Sequence, residues 1–242
     1  MVFNNINFID EFGKQQKLEF NNIYCVDCMK ILKLMPDKSI DLCIVDPPYG
    51  INVNISMGRR KGDKKSNYTK YSGEDKQPPS EEYFKELFRV SKNQIIWGAN
   101  HFISKFSKDS ANWIVWNKLF SNDVSFASAE LAWCSLEGTI KIYTQSPLDK
   151  DRIHPTQKPI ALYEWLLNNY AKKGDKILDT HLGSASSIIA CKKLGFEYMG
   201  FELDEEYFNK AKERIEKFES QENLFDFINT SETISIKQTT LF

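Results

Sequence analysis

Seven short apolar runs, alternating with stretches of helical periodicity, limit what this chain can become. They are NIYCV (22–26), DLCIVD (41–46), QIIWGAN (94–100), NWIVWNK (112–118), ELAWCS (130–135), KILDT (176–180) and EYMGFELD (197–204), each of strand length. Between several of them apolar residues recur every three or four positions. Glu81 to Val90 places Tyr83, Phe84, Leu87 and Phe88 on one face, and Ile160 to Tyr170 does the same with Ile160, Leu162, Tyr163, Leu166 and Leu167. Ser186 to Leu194 and Glu205 to Phe218 read as further helices. Strands rich in apolar residues and separated by helices predict an α/β fold, a mostly parallel sheet covered on both faces. In such sheets ligands collect at the carboxyl ends of the strands, beside the point where strand order reverses. Motifs at strand ends therefore carry the most weight.

The chain has 242 residues, 41% of them apolar, enough for one domain with a substantial core. Thirty-two Lys and Arg against 33 Asp and Glu exclude a uniformly basic DNA-coating protein, so an anionic partner must meet a local basic patch. That patch is found between residues 51 and 80. There Arg59, Arg60, Lys61, Lys64, Lys65, Lys70 and Lys76 face only Asp63, Glu74 and Asp75, with little apolar periodicity. The N-terminal MVFNNINFIDEFGKQQ lacks a cationic segment leading into an apolar one, so a cytoplasmic protein without a membrane span is expected. Five cysteines leave one unpaired under any disulfide scheme. Cys25 and Cys28 have the spacing of half a zinc site, but no second pair stands at ligand spacing, so reduced core thiols and no metal are expected. Trp97, Trp113, Trp116 and Trp133 read as core or pocket wall, and His101, His154 and His181 receive no catalytic role.

Two centres carry chemistry. At the end of the second run stands Asp46-Pro47-Pro48-Tyr49. Two prolines remove two backbone donors and end ladder pairing, which holds the Pro47 carbonyl in a set direction. The Asp46 carboxylate and that carbonyl can each accept one hydrogen of an exocyclic amino group while Tyr49 stacks on the ring that carries it. The second centre follows Lys176-Ile-Leu-Asp179, where Thr180-His-Leu-Gly183-Ser184-Ala-Ser186-Ser187 leads into a helix. Small residues there let a ligand approach the backbone N–H groups of a helix N-terminus. The next run ends in Glu202, an acid placed to meet ribose hydroxyls. Together these features imply a nucleoside-bearing cofactor.

These residues resemble the DNA amino-methyltransferases, which methylate adenine N6 or cytosine N4 using S-adenosylmethionine. The resemblance covers nearly the whole chain. Asp46 to Tyr49 resembles the catalytic motif, Asp179 to Ser187 the cofactor loop with Gly183, Ser184 and Ser186, and Glu202 the ribose-binding acid. His154-Pro-Thr-Gln-Lys-Pro159 resembles the block upstream of that loop, which implies Thr156, Gln157 and Lys158 near the methionine end of the cofactor; Asp27 resembles the residue that approaches its adenine. Because the catalytic motif precedes the cofactor loop, the order is that of the permuted beta class. The resemblance implies a Rossmann-like S-adenosylmethionine-dependent methyltransferase fold, a seven-stranded sheet with one antiparallel strand near its edge. It also implies a DNA adenine-N6 methyltransferase acting on a flipped-out base in duplex DNA, with DNA methylation and restriction-modification as its setting. Cytosine-N4 methylation, RNA adenine methylation and a catalytically impaired nucleic-acid-binding module are the alternatives. The family commonly has Gly where this chain has Ala185, so a requirement for positive φ there would strain the loop.

The expected organisation is a methyltransferase domain over 1–220, with a DNA-contacting loop at 51–80 (Arg59, Arg60, Lys61, Lys64, Lys65) and a small target-recognition insert at 119–150, then a tail at 221–242. The last residues, Gln238-Thr-Thr-Leu241-Phe242, resemble the peptide by which bacterial DNA enzymes dock on the sliding clamp. Double-stranded DNA is the expected partner, and the chain is expected to be a monomer or homodimer.

Overall fold

The computed structural model describes residues 6–51, 77–120, 127–147, 152–154 and 156–239, with side chains through residue 222. The basic residues Arg59, Arg60, Lys61, Lys64 and Lys65 lie outside the described residues, as do Leu241, Phe242 and the side chain of Gln238.

An antiparallel hairpin, β1 (Asn7–Ile9) and β2 (Gln15–Lys17), precedes β3 (Asn22–Cys25), the short helix α1 (Cys28–Leu32) and β4 (Ile40–Val45). Helix α2 (Glu81–Val90) runs into β5 (Ser91–Trp97), followed by β6 (Trp113–Asn117), β7 (Ala129–Cys134) and β8 (Lys141–Thr144). The remainder is α3 (Ile160–Tyr170), β9 (Lys176–Asp179), α4 (Ser186–Leu194), β10 (Glu197–Glu202) and α5 (Glu205–Thr239).

All seven apolar runs are strands of one sheet, in the order β3-β10-β9-β4-β5-β7-β6-β8. Among the described residues only β7 is antiparallel to its neighbours, and it stands third from the edge. The sheet has eight strands among the described residues where seven were expected. The extra one, β8, pairs parallel with β6 and is largely exposed, so its four residues carry no apolar run to announce it. Residues 129–134 and 141–144 of the segment expected as a recognition insert are thus strands of the central sheet. The hairpin also lacked a signal, its strands being three residues long; Asp10 holds it, its carboxylate accepting from Phe12 N, Lys14 N and Gln16 Nε2.

Burial on both faces explains why the central strands read as unbroken apolar runs. Along β4, Cys43 and Val45 join one core with Ile31 and Leu32 of α1 and Phe84 and Leu87 of α2. Leu42 and Ile44 point the other way, to Leu162 and Leu166 of α3, Ile188 and Ile189 of α4 and Ala211 of α5. All five cysteines are buried and unpaired. Among the described residues no helix is long and apolar enough to cross a membrane.

From β4 the chain moves through α2 to β5 on one side, and from β9 through α4 to β10 on the other, so order reverses between the adjacent strands β4 and β9. Both sequence motifs leave the sheet at that crevice, at the carboxyl ends of β4 and β9.

Candidate active site

On the β9 side, the Asp179 side chain is buried at the strand end. Its Oδ1 accepts from His181 N at 3.0 Å and its Oδ2 from Ser187 Oγ at 2.5 Å. Burial is the main reason its carboxyl is pushed up to about 7, the nearby Asp46 and Glu202 carboxylates adding to it against those two hydrogen bonds. The turn then passes through Gly183 at φ +51° and Ala185 at φ +59°, and α4 starts with no side-chain cap. The Ala185 position does need the left-handed conformation, and its buried methyl group occupies it at a strain of roughly 1–2 kcal/mol. Arg214 braces the loop from α5, its Nη1 donating to Ser184 O and Ser186 Oγ. From α2, the Tyr83 hydroxyl meets Thr180 Oγ1 at 2.7 Å.

Glu202, at the end of β10, faces the same turn. Its Oε2 accepts from Gly183 N at 2.8 Å and its Oε1 from Asp204 N at 3.0 Å, while burial raises its carboxyl. A Cβ placed on Gly183 would meet nothing nearer than the His154 ring at 3.9 Å, so the backbone there lies open to an approaching group. Val26 N donates to Glu202 O, which sets Asp27 at the adjoining strand end. There Asp27 caps α1 by accepting from Met29 N. Open backbone, a paired acid and a second acid at neighbouring strand ends fit a nucleoside-bearing group.

On the β4 side, ladder pairing ends at Val45, directly before Asp46-Pro47-Pro48-Tyr49. Asp46 Oδ1 accepts the Tyr49 hydroxyl at 2.8 Å, and that hydroxyl also lies 3.2 Å from Glu130 Oε2. Asp46 Oδ2 accepts from Lys158 Nζ at 2.5 Å. Burial raises the Asp46 carboxyl and Lys158 opposes it. The Tyr49 ring stacks on His101, with centroids 5.2 Å apart at 18°, and lies so close to Gly98 that a Cβ there would stand 2.1 Å from it.

Of Thr156, Gln157 and Lys158, which the resemblance implied near the methionine end of a cofactor, Lys158 reaches this centre. Thr156 is exposed and meets His154 Nδ1; Gln157 is buried and accepts from Ile153 N; Lys158 is 2% exposed. Its ammonium also meets Glu130 Oε2 at 2.9 Å, and Glu130 is paired in turn with Lys118. Sequence reasoning missed Glu130, Lys118, Gly98 and the contact of His101. Glu130 is the second residue of β7, and because β7 runs against β5, its beginning lies beside the ends of the parallel strands. Nothing local to ELAWCS reports that direction.

The arrangement places a carboxylate, a phenol and a backbone turn where a planar amine could sit, opposite a loop suited to a nucleoside. A DNA methylase family model for N6 and N4 enzymes matches residues 115–213. Type II methyltransferase M.HpaI of Haemophilus parainfluenzae is 26% identical, the alignment covering 86% of this chain and 77% of that protein. M.HinfI of Haemophilus influenzae is 25% identical over 86% and 72%. Among solved structures, the M1.HpyAVI–SAM complex matches with a TM-score of 0.53 at 23% identity, over 80% of this chain and 98% of that one. The cytosine-N4-specific PvuII DNA methyltransferase matches at 0.54 and 12% identity, over 79% and 84%. The motif order, the strand-end geometry and these relatives agree in making the chain similar to the N6/N4 DNA methylases.

Proposed function

We propose that this protein transfers a methyl group from S-adenosylmethionine to N6 of an adenine swung out of duplex DNA. The observation that carries the reading is the Asp46 carboxylate, held by Tyr49 and Lys158 at the end of β4, across the crevice from Asp179 on the neighbouring strand β9. Adenine is favoured over cytosine because Asp stands at the first position of the tetrapeptide.

The small turn of Gly183, Ser184 and Ser186 and the acids Asp179 and Glu202 would hold the cofactor, with Asp27 on its adenine side and Thr156 and Gln157 toward its methionine end. Bound there, S-adenosylmethionine supplies a methyl carbon made electrophilic by its positively charged sulfur. An exocyclic amino nitrogen is a poor nucleophile because its lone pair is delocalised into the ring. Asp46 and the Pro47 carbonyl, accepting its two hydrogens, favour the pyramidal geometry and stabilise the positive charge that develops. The group held there would donate its methyl carbon to that nitrogen, its carbon–sulfur electron pair staying on sulfur, and the surplus amino proton would pass to water. Tyr49 offers stacking against the cost of extruding the base. The assignment of Asp46, Pro47, Pro48 and Tyr49 as the catalytic group rests on this chemistry.

Arg59, Arg60, Lys61, Lys64 and Lys65 are assigned to phosphates, so affinity for duplex DNA should fall with salt. The same reading takes 1–220 as the catalytic domain and 221–242 as a tail whose Gln238, Leu241 and Phe242 dock on the sliding clamp, in a cytoplasmic protein. Deleting 237–242 should abolish clamp pull-down and leave methylation intact.

Tritiated methyl transfer to duplex DNA, followed by nucleoside analysis, tests the central reading. N6-methyladenine supports it, and N4-methylcytosine as the product would overturn the choice of base. Asp46→Ala should remove transfer and retain cofactor binding. The left-handed Ala185 favours a second reading, a binding module with an impaired cofactor loop; calorimetric titration separates the two, because a transferase must bind S-adenosylmethionine.

A further inference from the structure

We propose that Lys158 and Glu130 are positioning residues for Asp46: a buried, charge-balanced cluster of two carboxylates and two ammonium groups that aims the Asp46 carboxylate at the incoming amino group. This role rests on the methyl-transfer reading above.

The stoichiometry of the Lys158 ammonium is the first argument. It has three hydrogens to donate. Its three acceptors are Asp46 Oδ2 at 2.5 Å, Glu130 Oε2 at 2.9 Å and the Tyr49 hydroxyl oxygen at 3.3 Å. Those contacts use all three, and the ammonium also lies 5.1 Å from the centroid of the buried Trp97 ring. No donor is left over for a carboxylate of a cofactor. Asp46 differs: Oδ1 accepts from Tyr49 and Oδ2 from Lys158, and each oxygen retains a lone pair for an amino hydrogen.

Charge is the second argument. Asp46 and Glu130 are 17% and 20% exposed, Lys118 and Lys158 14% and 2%. Four charges can be withdrawn from water together only when paired and hydrogen-bonded, and removing one partner strands another. Glu130 bridges the two ammonium groups, with Oε1 on Lys118 and Oε2 on Lys158. The ionisable groups that bear on Asp46 come from several elements: Tyr49 on its own turn, Glu130 on β7, Lys158 before α3, Tyr163 on α3 and Asp179 on β9. Among them Lys158 is the one cation, and it opposes the effect of burial on Asp46, while Glu130 adds to that effect. Opposite substitutions therefore have opposite consequences.

Single-turnover methyl transfer to duplex DNA, measured from acid to alkaline pH with the full chain and saturating S-adenosylmethionine, tests this. Lys158→Met leaves two carboxylates facing each other, so transfer near neutral pH should fall about a hundredfold and the acid limb should move to higher pH. Glu130→Gln should move that limb to lower pH. The double variant should regain about tenfold over Lys158→Met alone, because neutralising Glu130 relieves the repulsion. A double variant as slow as Lys158→Met, or slower, overturns the proposal, since a purely structural role predicts additive losses. Calorimetry provides a separate readout: each variant should bind S-adenosylmethionine with unchanged affinity. Loss of cofactor binding in Lys158→Met alone would overturn the assignment and return the residue to the cofactor site. If Lys158→Met does not fold, the isosteric Glu130→Gln decides, and an acid limb unmoved or moved upward overturns the proposal. A wild-type chain that transfers no methyl overturns the functional reading itself, whereas an active wild type without rescue overturns only the role of the cluster.

Discussion

Asp179→Asn should stabilise this protein at alkaline pH while removing cofactor binding. Burial lifts the Asp179 carboxyl from an ordinary 3.8 to about 7 in the folded chain. Below pH 3.8 folded and unfolded states both hold the proton, so the position carries no penalty there. Between 3.8 and 7 the folded chain keeps a proton that the unfolded chain has released, and stability declines as pH rises through that window. Above 7 the full difference applies, about 4 kcal/mol; at pH 5 only about 1.5 kcal/mol of it has developed. Asparagine carries no charge and escapes this dependence. It disturbs the contacts to Ser187 and His181, at a cost of about 1 kcal/mol that is the same at every pH and drops out of the comparison. Urea unfolding of wild type and variant at pH 5 and pH 8 reads the quantity directly. The stability of the variant relative to wild type should rise by about 2–3 kcal/mol between the two pH values. Parallel behaviour, or a variant that loses ground as pH rises, would refute the argument that burial dominates the Asp179 environment.

Gly98→Ala would place a Cβ 2.1 Å from the Tyr49 ring, on a backbone already at φ +67°, so the ring must move; transfer should fall about a hundredfold with cofactor affinity unchanged, by kinetics and calorimetry. Ala185→Val puts a β-branched side chain at a buried left-handed position and should cost about 2–3 kcal/mol in urea unfolding. Ala185→Gly exchanges relieved strain for a lost buried methyl group and should leave stability within about 1 kcal/mol of wild type. His181 is held neutral by burial, its ring pushed down to about 4. Its contribution is present above the unfolded value of 6.5 and is lost as pH falls toward 4, so His181→Gln should flatten acid unfolding by about 3 kcal/mol over that range.

Strand and helix periods are local, and so are the two motifs that end strands. Each of the seven apolar runs became a strand, because two-sided burial leaves an unbroken apolar signature at each of them. Asp46, Asp179 and Glu202 could be placed at the carboxyl ends of strands for the same reason, and the glycine that the resembled family has at Ala185 raised the left-handed conformation that the structure shows there. Strand order and direction are not local. Only the folded sheet shows that β4 and β9 adjoin, which brings motifs more than a hundred residues apart to one crevice. Only the reversal of β7 carries Glu130 to that end, and only packing turns Lys158 toward Asp46. A side chain's partner depends on which distant backbone passes beside it, and hydrophobic periodicity holds no record of that neighbour.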